Sequence, residues 1–151
     1  MSVEPGTKDD KYLAMCIVGA EIFRTCSKRN VYAIVLSADG RVVGTGYNGA
    51  PSGVVHCVDG GCPRARAESP DPGFRDCIAI HAEENALLYS DPAARRGGTL
   101  YVNATPCFGC AKVLAGSGLA RVVYRWHEDI EAASRELIVN AGVDLVEAKD
   151  T

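Results

Sequence analysis

The sequence predicts an α/β protein built on a mixed five-stranded sheet flanked by helices. Two observations lead there. An apolar run at 31–36 (VYAIVL) is joined to a second at 41–47 through the turn Ser37-Ala38-Asp39-Gly40, which reads as a β-hairpin. After it, stretches of helical periodicity alternate with three short strands at 99–103, 121–125 and 143–146. A hairpin followed by αβαβαβ forms one sheet covered by helices.

Each element has a local reason. Residues 1–8 read as a loose leader, and the polar, acidic 1–10 stretch lacks the make-up of a signal peptide. From Asp9, the apolar positions Tyr12, Leu13, Cys16, Ile17, Ala20, Ile22 and Phe23 recur as on a helix, with Asp9 or Asp10 as cap. Cys16 on that face reads as a small buried hydrophobe. The segment 25–30 breaks the helix, and the loop 46–53 (GYNGAPSG) is either a ligand-approaching loop or a tight turn. Residues 54–77 lack periodicity and read as an insertion within a single domain spanning 1–151. A helix is expected over 78–90, stopped by Asp91-Pro92. Another is expected over 107–117, closed by Gly118, and a third over 129–140, closed by Ala141-Gly142.

Composition narrows the function classes. In 151 residues, 47% hydrophobic and 23% charged, the chain has the balance of an ordinary globular domain. A net charge of −3 argues against a long nucleic acid as partner. No run of 18 apolar residues occurs, so no membrane span is expected and a cytoplasmic location follows. In a reducing compartment, seven cysteines point to metal ligands rather than disulfides.

Two motifs carry the chemistry: His81-Ala82-Glu83-Glu84-Asn85-Ala86 and Thr105-Pro106-Cys107-Phe108-Gly109-Cys110. One His and two Cys make a three-ligand zinc set that leaves the fourth tetrahedral position open, as catalytic zinc requires. Glu83, two residues from His81, is placed to carry protons, while Glu84 reads as a solvated helix residue. Cys107 and Cys110 lie on one side of a helix's first turn, where the macrodipole favours thiolate. Alone, C-x-x-C would equally suit a redox pair or half a zinc knuckle. Joined to H-x-E and a preceding Pro, it is the signature of zinc nucleobase deaminases.

The chain resembles the cytidine deaminase superfamily, and within it the deoxycytidylate (dCMP) deaminases. The likeness runs from about Tyr12 to Val146 and rests on Thr25-Cys26, GYNGAPSG, HAEENA, PCFGC and 118–124 (GLARVVY). It implies a three-layer cytidine deaminase-like fold and hydrolysis of dCMP to dUMP and ammonia, a step toward thymidylate. It also implies that Asn48 contacts the deoxyribose and that backbone near Ala82 and Thr105 brackets the base. Arg29 or Lys28 would meet the phosphate, with Arg125 a weaker candidate. Many relatives are homohexamers activated by dCTP, with Mg²⁺, and inhibited by dTTP. The effector site in them borders the loop that here reads Gly46, Tyr47, Asn48 and Gly49. Two departures stand out. Tyr32 replaces the usual Gly of V-G-A, putting a bulky ring where close approach is expected, and the 124–129 segment is short.

Cys26, Cys57, Cys62 and Cys77 remain, three of them inside or bounding the insertion. Four thiols suit a closed structural zinc that staples it, with His56 an alternative ligand. Two other readings stay open: a deaminase of another cytosine-type substrate or a tRNA base, and a zinc-stapled nucleotide-binding module without catalysis. Intact Glu83 argues against the second.

Overall fold

The computed structural model describes residues 6–26, 29–62 and 77–149. Lys28 and residues 63–76 of the insertion lie outside them. Helix α1 (Lys8–Ile22) is capped by Thr7, whose Oγ accepts from the Asp10 N–H at 3.2 Å while the Asp10 carboxylate accepts from Thr7 N at 2.9 Å. This reciprocal box displaces the expected Asp9 or Asp10 cap, because the Thr7 hydroxyl and the Asp10 carboxylate each satisfy one backbone donor. Asp9 instead turns to the sheet and accepts from Tyr101 Oη at 2.7 Å and Arg121 Nη1 at 2.9 Å.

Strands β1 (Tyr32–Leu36) and β2 (Val42–Tyr47) form the expected hairpin. With β3 (Thr99–Val102), β4 (Arg121–Arg125) and β5 (Asp144–Ala148), they make one sheet in the order β2-β1-β3-β4-β5. The pairs β1–β2 and β1–β3 are antiparallel, and β3–β4 and β4–β5 are parallel. The mixed five-stranded sheet is as expected.

Alternation along the strands divides the core into two layers. Ile34, Leu36, Tyr101 and Val123 pack with Leu13 and Cys16 of α1. Ala33, Val35, Leu100, Val102, Val122 and Tyr124 face the other way, toward α2 (Ala82–Leu88), α4 (Phe108–Ala115) and α5 (Ala132–Asn140). The central strands are therefore apolar on both faces, which explains runs such as VYAIVL. Cys16 is buried, its thiol donates to the Tyr101 carbonyl at 3.5 Å, and burial pushes its pKa up to about 12. It is a core residue, as expected.

Several boundaries differ, with α5 starting at Ala132 and β5 running on to Ala148. The helix expected over 78–90 is shortened to Ala82–Leu88, because Ile80 pairs with Gly49 through two backbone hydrogen bonds of 2.8 and 3.1 Å. Asp91-Pro92 does not simply end it. Asp91 Oδ1 accepts from Ala93 N at 2.8 Å and Pro92 opens α3 (Pro92–Arg95).

Tyr32 also resolves. It shares the α1-facing side of β1 with Ile34, and its ring lies over Gly19, where an added Cβ would come within 2.8 Å. The close approach sits at Gly19, and Tyr32 points away from the face that carries His81 and Glu83.

Candidate active site

The site lies at the carboxyl ends of the parallel strands β3 and β4, the usual location of ligands in such sheets. The segment 103–107 leaves β3, 126–128 leaves β4, and the start of antiparallel β1 brings 29–31 to the same end. The segments 29–31 and 103–107 and the start of α2 surround a cleft of about 300 Å³ lined by Arg29, Asn48, Ala82, Glu83, Thr105 and Cys107, among others, while 126–128 packs on Thr105.

His81, Cys107 and Cys110 converge beside it. His81 Nδ1 is 3.3 Å from Cys110 Sγ and 3.4 Å from Cys107 Sγ. Tetrahedral zinc with Zn–N near 2.0 Å and Zn–S near 2.3 Å separates such ligand atoms by about 3.6 Å. The donor set fits the ion in type and spacing. Its charge fits as well. Bonds to Cys110 and His81 pull the Cys107 thiol down to about 3, and the same Cys107 contact raises His81 to about 9. Cys110 is held far above the ordinary thiol range by Cys107 and by burial. The cluster thus keeps protons where a cation would relieve them. Cys107 is also the N-cap of α4, its sulfur accepting from Cys110 N at 3.5 Å.

Glu83 occupies the first turn of α2, 5% exposed, and burial pushes its carboxyl above the usual range. Glu84, expected to be a solvated helix residue, is half-buried with Oε1 4.0 Å from Cys110 Sγ.

The glycine-rich loop and the HAEENA motif fold as one unit. Asn85 Nδ2 donates to the Tyr47 carbonyl at 2.8 Å, and Gly49 pairs with Ile80 next to His81. A Cβ on Gly46 would meet Ala86 N at 2.4 Å and Ala82 O at 2.6 Å, so Gly46 lets β2 touch the α2 backbone. On its far side, Tyr47 and Gly49 line another cleft of about 500 Å³ with Phe23, Tyr32, His56 and Tyr89. Phe23 stacks on both Tyr32 (5.8 Å) and Tyr47 (5.2 Å).

Asn48 lines the cleft while both its polar atoms bind backbone. Oδ1 accepts from Val31 N and Nδ2 donates to Arg29 O, each at 2.7 Å. It thereby positions the segment that presents Arg29. Sequence reasoning missed His127 and Glu128. His127 Nδ1 accepts from Thr105 N at 2.9 Å, and Thr105 Oγ donates to the Glu128 carbonyl at 2.8 Å. The available signal was their position just past a parallel strand. Arg125 lines a neighbouring hollow with Trp126, His127 and Lys149.

Cys26, Cys57 and Cys62 are buried together, with Cys77 packed against them. Burial raises the Cys77 thiol. The Thr25 carbonyl accepts from Val58 N at 2.9 Å, tying the insertion to the segment before β1. His56 faces Gly49, and its Nδ1 is buried with no hydrogen-bond partner among the described residues.

The comparisons agree with this geometry. A profile of the "Cytidine and deoxycytidylate deaminase zinc-binding region" matches residues 6–126. A deoxycytidylate deaminase of Mycobacterium phage D29 is 43% identical over 122 residues, covering 76% of this chain and 92% of that protein. The Saccharomyces cerevisiae deoxycytidylate deaminase is 33% identical over 137 residues, covering 90% of this chain but 43% of its own, so the chain spans less than half of that relative. The crystal structure of dCMP deaminase from cyanophage S-TIM5 in complex with dCMP and dUMP superposes with TM-score 0.71 at 25% identity, covering 97% of this chain and all of that one. By its profile match, its relatives and its fold, the chain belongs to the cytidine and deoxycytidylate deaminase family.

Proposed function

We propose that this protein, as a single deaminase-type domain, hydrolyses dCMP to dUMP and ammonia. One observation carries the reading: the His81, Cys107 and Cys110 ligand atoms meet beside buried Glu83 in a cleft with Arg29 among its walls. When bound there, zinc supplies Lewis acidity that brings the pKa of water to about 7. Glu83 then does the proton work. Its carboxylate takes a proton from the attacking water, passes it to the ring nitrogen beside the reacting carbon, and carries the next to the departing amine. Oxygen bonds to carbon as the carbon–nitrogen bond breaks, so water and dCMP become dUMP and ammonia without any redox partner. Burial of Glu83 supports this role, because a carboxylate whose pKa is held above the usual range is a stronger base toward the attacking water than a solvated one.

Thr105 and Ala82, both buried in the cleft wall, offer main-chain groups to the base. With the Thr105 N–H already given to His127, its carbonyl is the main-chain group left, an acceptor suited to an exocyclic amine. Asn48 borders the sugar and Arg29 the phosphate; Lys28, the second phosphate candidate by resemblance, lies outside the described residues. Ammonia release from dCMP, deoxycytidine, CMP and dCTP tests the reading. Zinc-loaded protein that leaves dCMP untouched would overturn it.

Three further assignments accompany it. A structural zinc on Cys26, Cys57, Cys62 and Cys77 is supported by the burial of three of these thiols against the fourth. Metal analysis should then find two zinc ions per chain, and one would remove it. Regulation by dCTP with Mg²⁺, opposed by dTTP, is supported by the aromatic-walled cleft under Tyr47 and Gly49. A homo-oligomer, a hexamer by resemblance, is supported by the apolar groove of Met15, Val18, Ile22 and Val42 between α1 and the edge strand β2. Among the described residues no helix is long and apolar enough to cross a membrane, and a cytoplasmic location remains our reading.

A further inference from the structure

His127, Arg29 and Glu128 form a polar cluster at the edge of the cleft. Because His127 Nδ1 accepts from Thr105 N, the neutral ring carries its proton on Nε2. Glu128 Oε1 lies 3.0 Å from that nitrogen. Arg29 Nη2 touches the same ring and lies 4.0 Å from the same carboxylate oxygen. The guanidinium cannot donate to either ring nitrogen, since one lone pair is engaged and the other nitrogen holds the proton. Its remaining partner there is an anion. The one present, the Glu128 carboxylate, is 63% exposed and held loosely at that distance. The Glu128 main chain is pinned by Thr105 Oγ, so only the side chain can swing away.

We propose that the Glu128 carboxylate is a built-in stand-in for the substrate's 5′-phosphate. It occupies the anion position beside Arg29 and His127 in the free protein, and the phosphate displaces it. This rests on the reading of the substrate as a nucleoside monophosphate. A phosphate suits the position better than a single carboxylate oxygen, because it can take the Arg29 fork in two parallel bonds and still accept from His127 Nε2–H. Glu128 is thus a self-competitor that sets affinity for the phosphate end, and His127 is a positioning residue for both Thr105 and Arg29.

The signs of the consequences differ, which makes the idea testable. Titration calorimetry on zinc-loaded full chain would compare dUMP, deoxyuridine and inorganic phosphate at one ionic strength. Glu128→Gln should tighten dUMP and phosphate by about three- to tenfold, and the gain for deoxyuridine should be smaller. Arg29→Gln should weaken dUMP about tenfold or more, the loss of one charge-assisted contact. Glu131→Gln, which removes an equal charge from an exposed residue nearby, controls for the general field and should shift dUMP less than Glu128→Gln does. Unchanged or weaker dUMP and phosphate binding in Glu128→Gln would overturn the proposal, as would an equal gain in Glu131→Gln. Absence of dCMP turnover by the wild type would defeat the assigned reaction instead, and the phosphate titrations would still decide the role of Glu128.

Discussion

Replacing Gly46 by Ala separates two roles for the glycine-rich loop. The new Cβ would lie 2.4 Å from Ala86 N, 2.6 Å from Ala82 O and 2.8 Å from Asn85 Cβ. Comfortable contacts run near 3.5 Å, so the overlap is about 1 Å, and two of the three neighbours are helix backbone that no rotamer change can move. Strand β2 must therefore part from α2. Overpacking costs about 1–3 kcal/mol. The Asn85–Tyr47 hydrogen bond (2.8 Å) and the Gly49–Ile80 pair are strained with it, adding about 1 kcal/mol each where broken. We expect a loss of about 3–5 kcal/mol, a large part of a typical domain's 5–15 kcal/mol, read as a lower urea midpoint. Gly53→Ala is the control. Its φ is +86° but nothing lies within 4 Å of an added Cβ, so only the left-handed backbone costs, about 1 kcal/mol. Because α2 carries His81 as its N-cap and Glu83 in its first turn, turnover should fall with stability. A Gly46→Ala protein as stable as the wild type, or no worse than Gly53→Ala, would refute the packing argument. Its glycine would then serve ligand approach alone.

Other substitutions probe the site and the frame. Glu83→Gln should keep bound zinc but lower kcat by at least about 10²–10⁴-fold, the value of positioned proton transfer; near wild-type ammonia release would contradict its role. Asn48→Ala strips a bond from buried Val31 N and from Arg29 O, and should cost about 1–3 kcal/mol in denaturant while raising KM for dCMP more than it lowers kcat. For Asp9, the Arg121 guanidinium holds the carboxyl below its ordinary value, 3.8, outweighing burial. A depressed folded pKa means that its stabilisation is present above the unfolded value and is lost as pH falls through the folded one. Asp9→Asn should therefore be less stable near neutrality, by about 1 kcal/mol for this partly exposed pair, with the difference closing in acid. A constant difference across that titration would count against it.

What the sequence alone determined is local. H-x-E and P-C-x-x-C place ligands within one turn of a helix start, so their spacing already implies one metal. Two-residue alternation and turn chemistry likewise told strands from helices, since both depend on near neighbours. The tertiary structure decided whatever joins distant segments. It turned Tyr32 onto Gly19, away from the catalytic face, and shortened α2 by lending Ile80 to Gly49. It set Asp9 on Arg121, 112 residues on, and Arg29 beside His127, 98 residues on. No sequence period reports such contacts. The Arg29–His127 contact arises because strand order brings the ends of β3 and β4 to the same edge as the start of β1, and polar groups gathered there must find one another as partners once water is excluded.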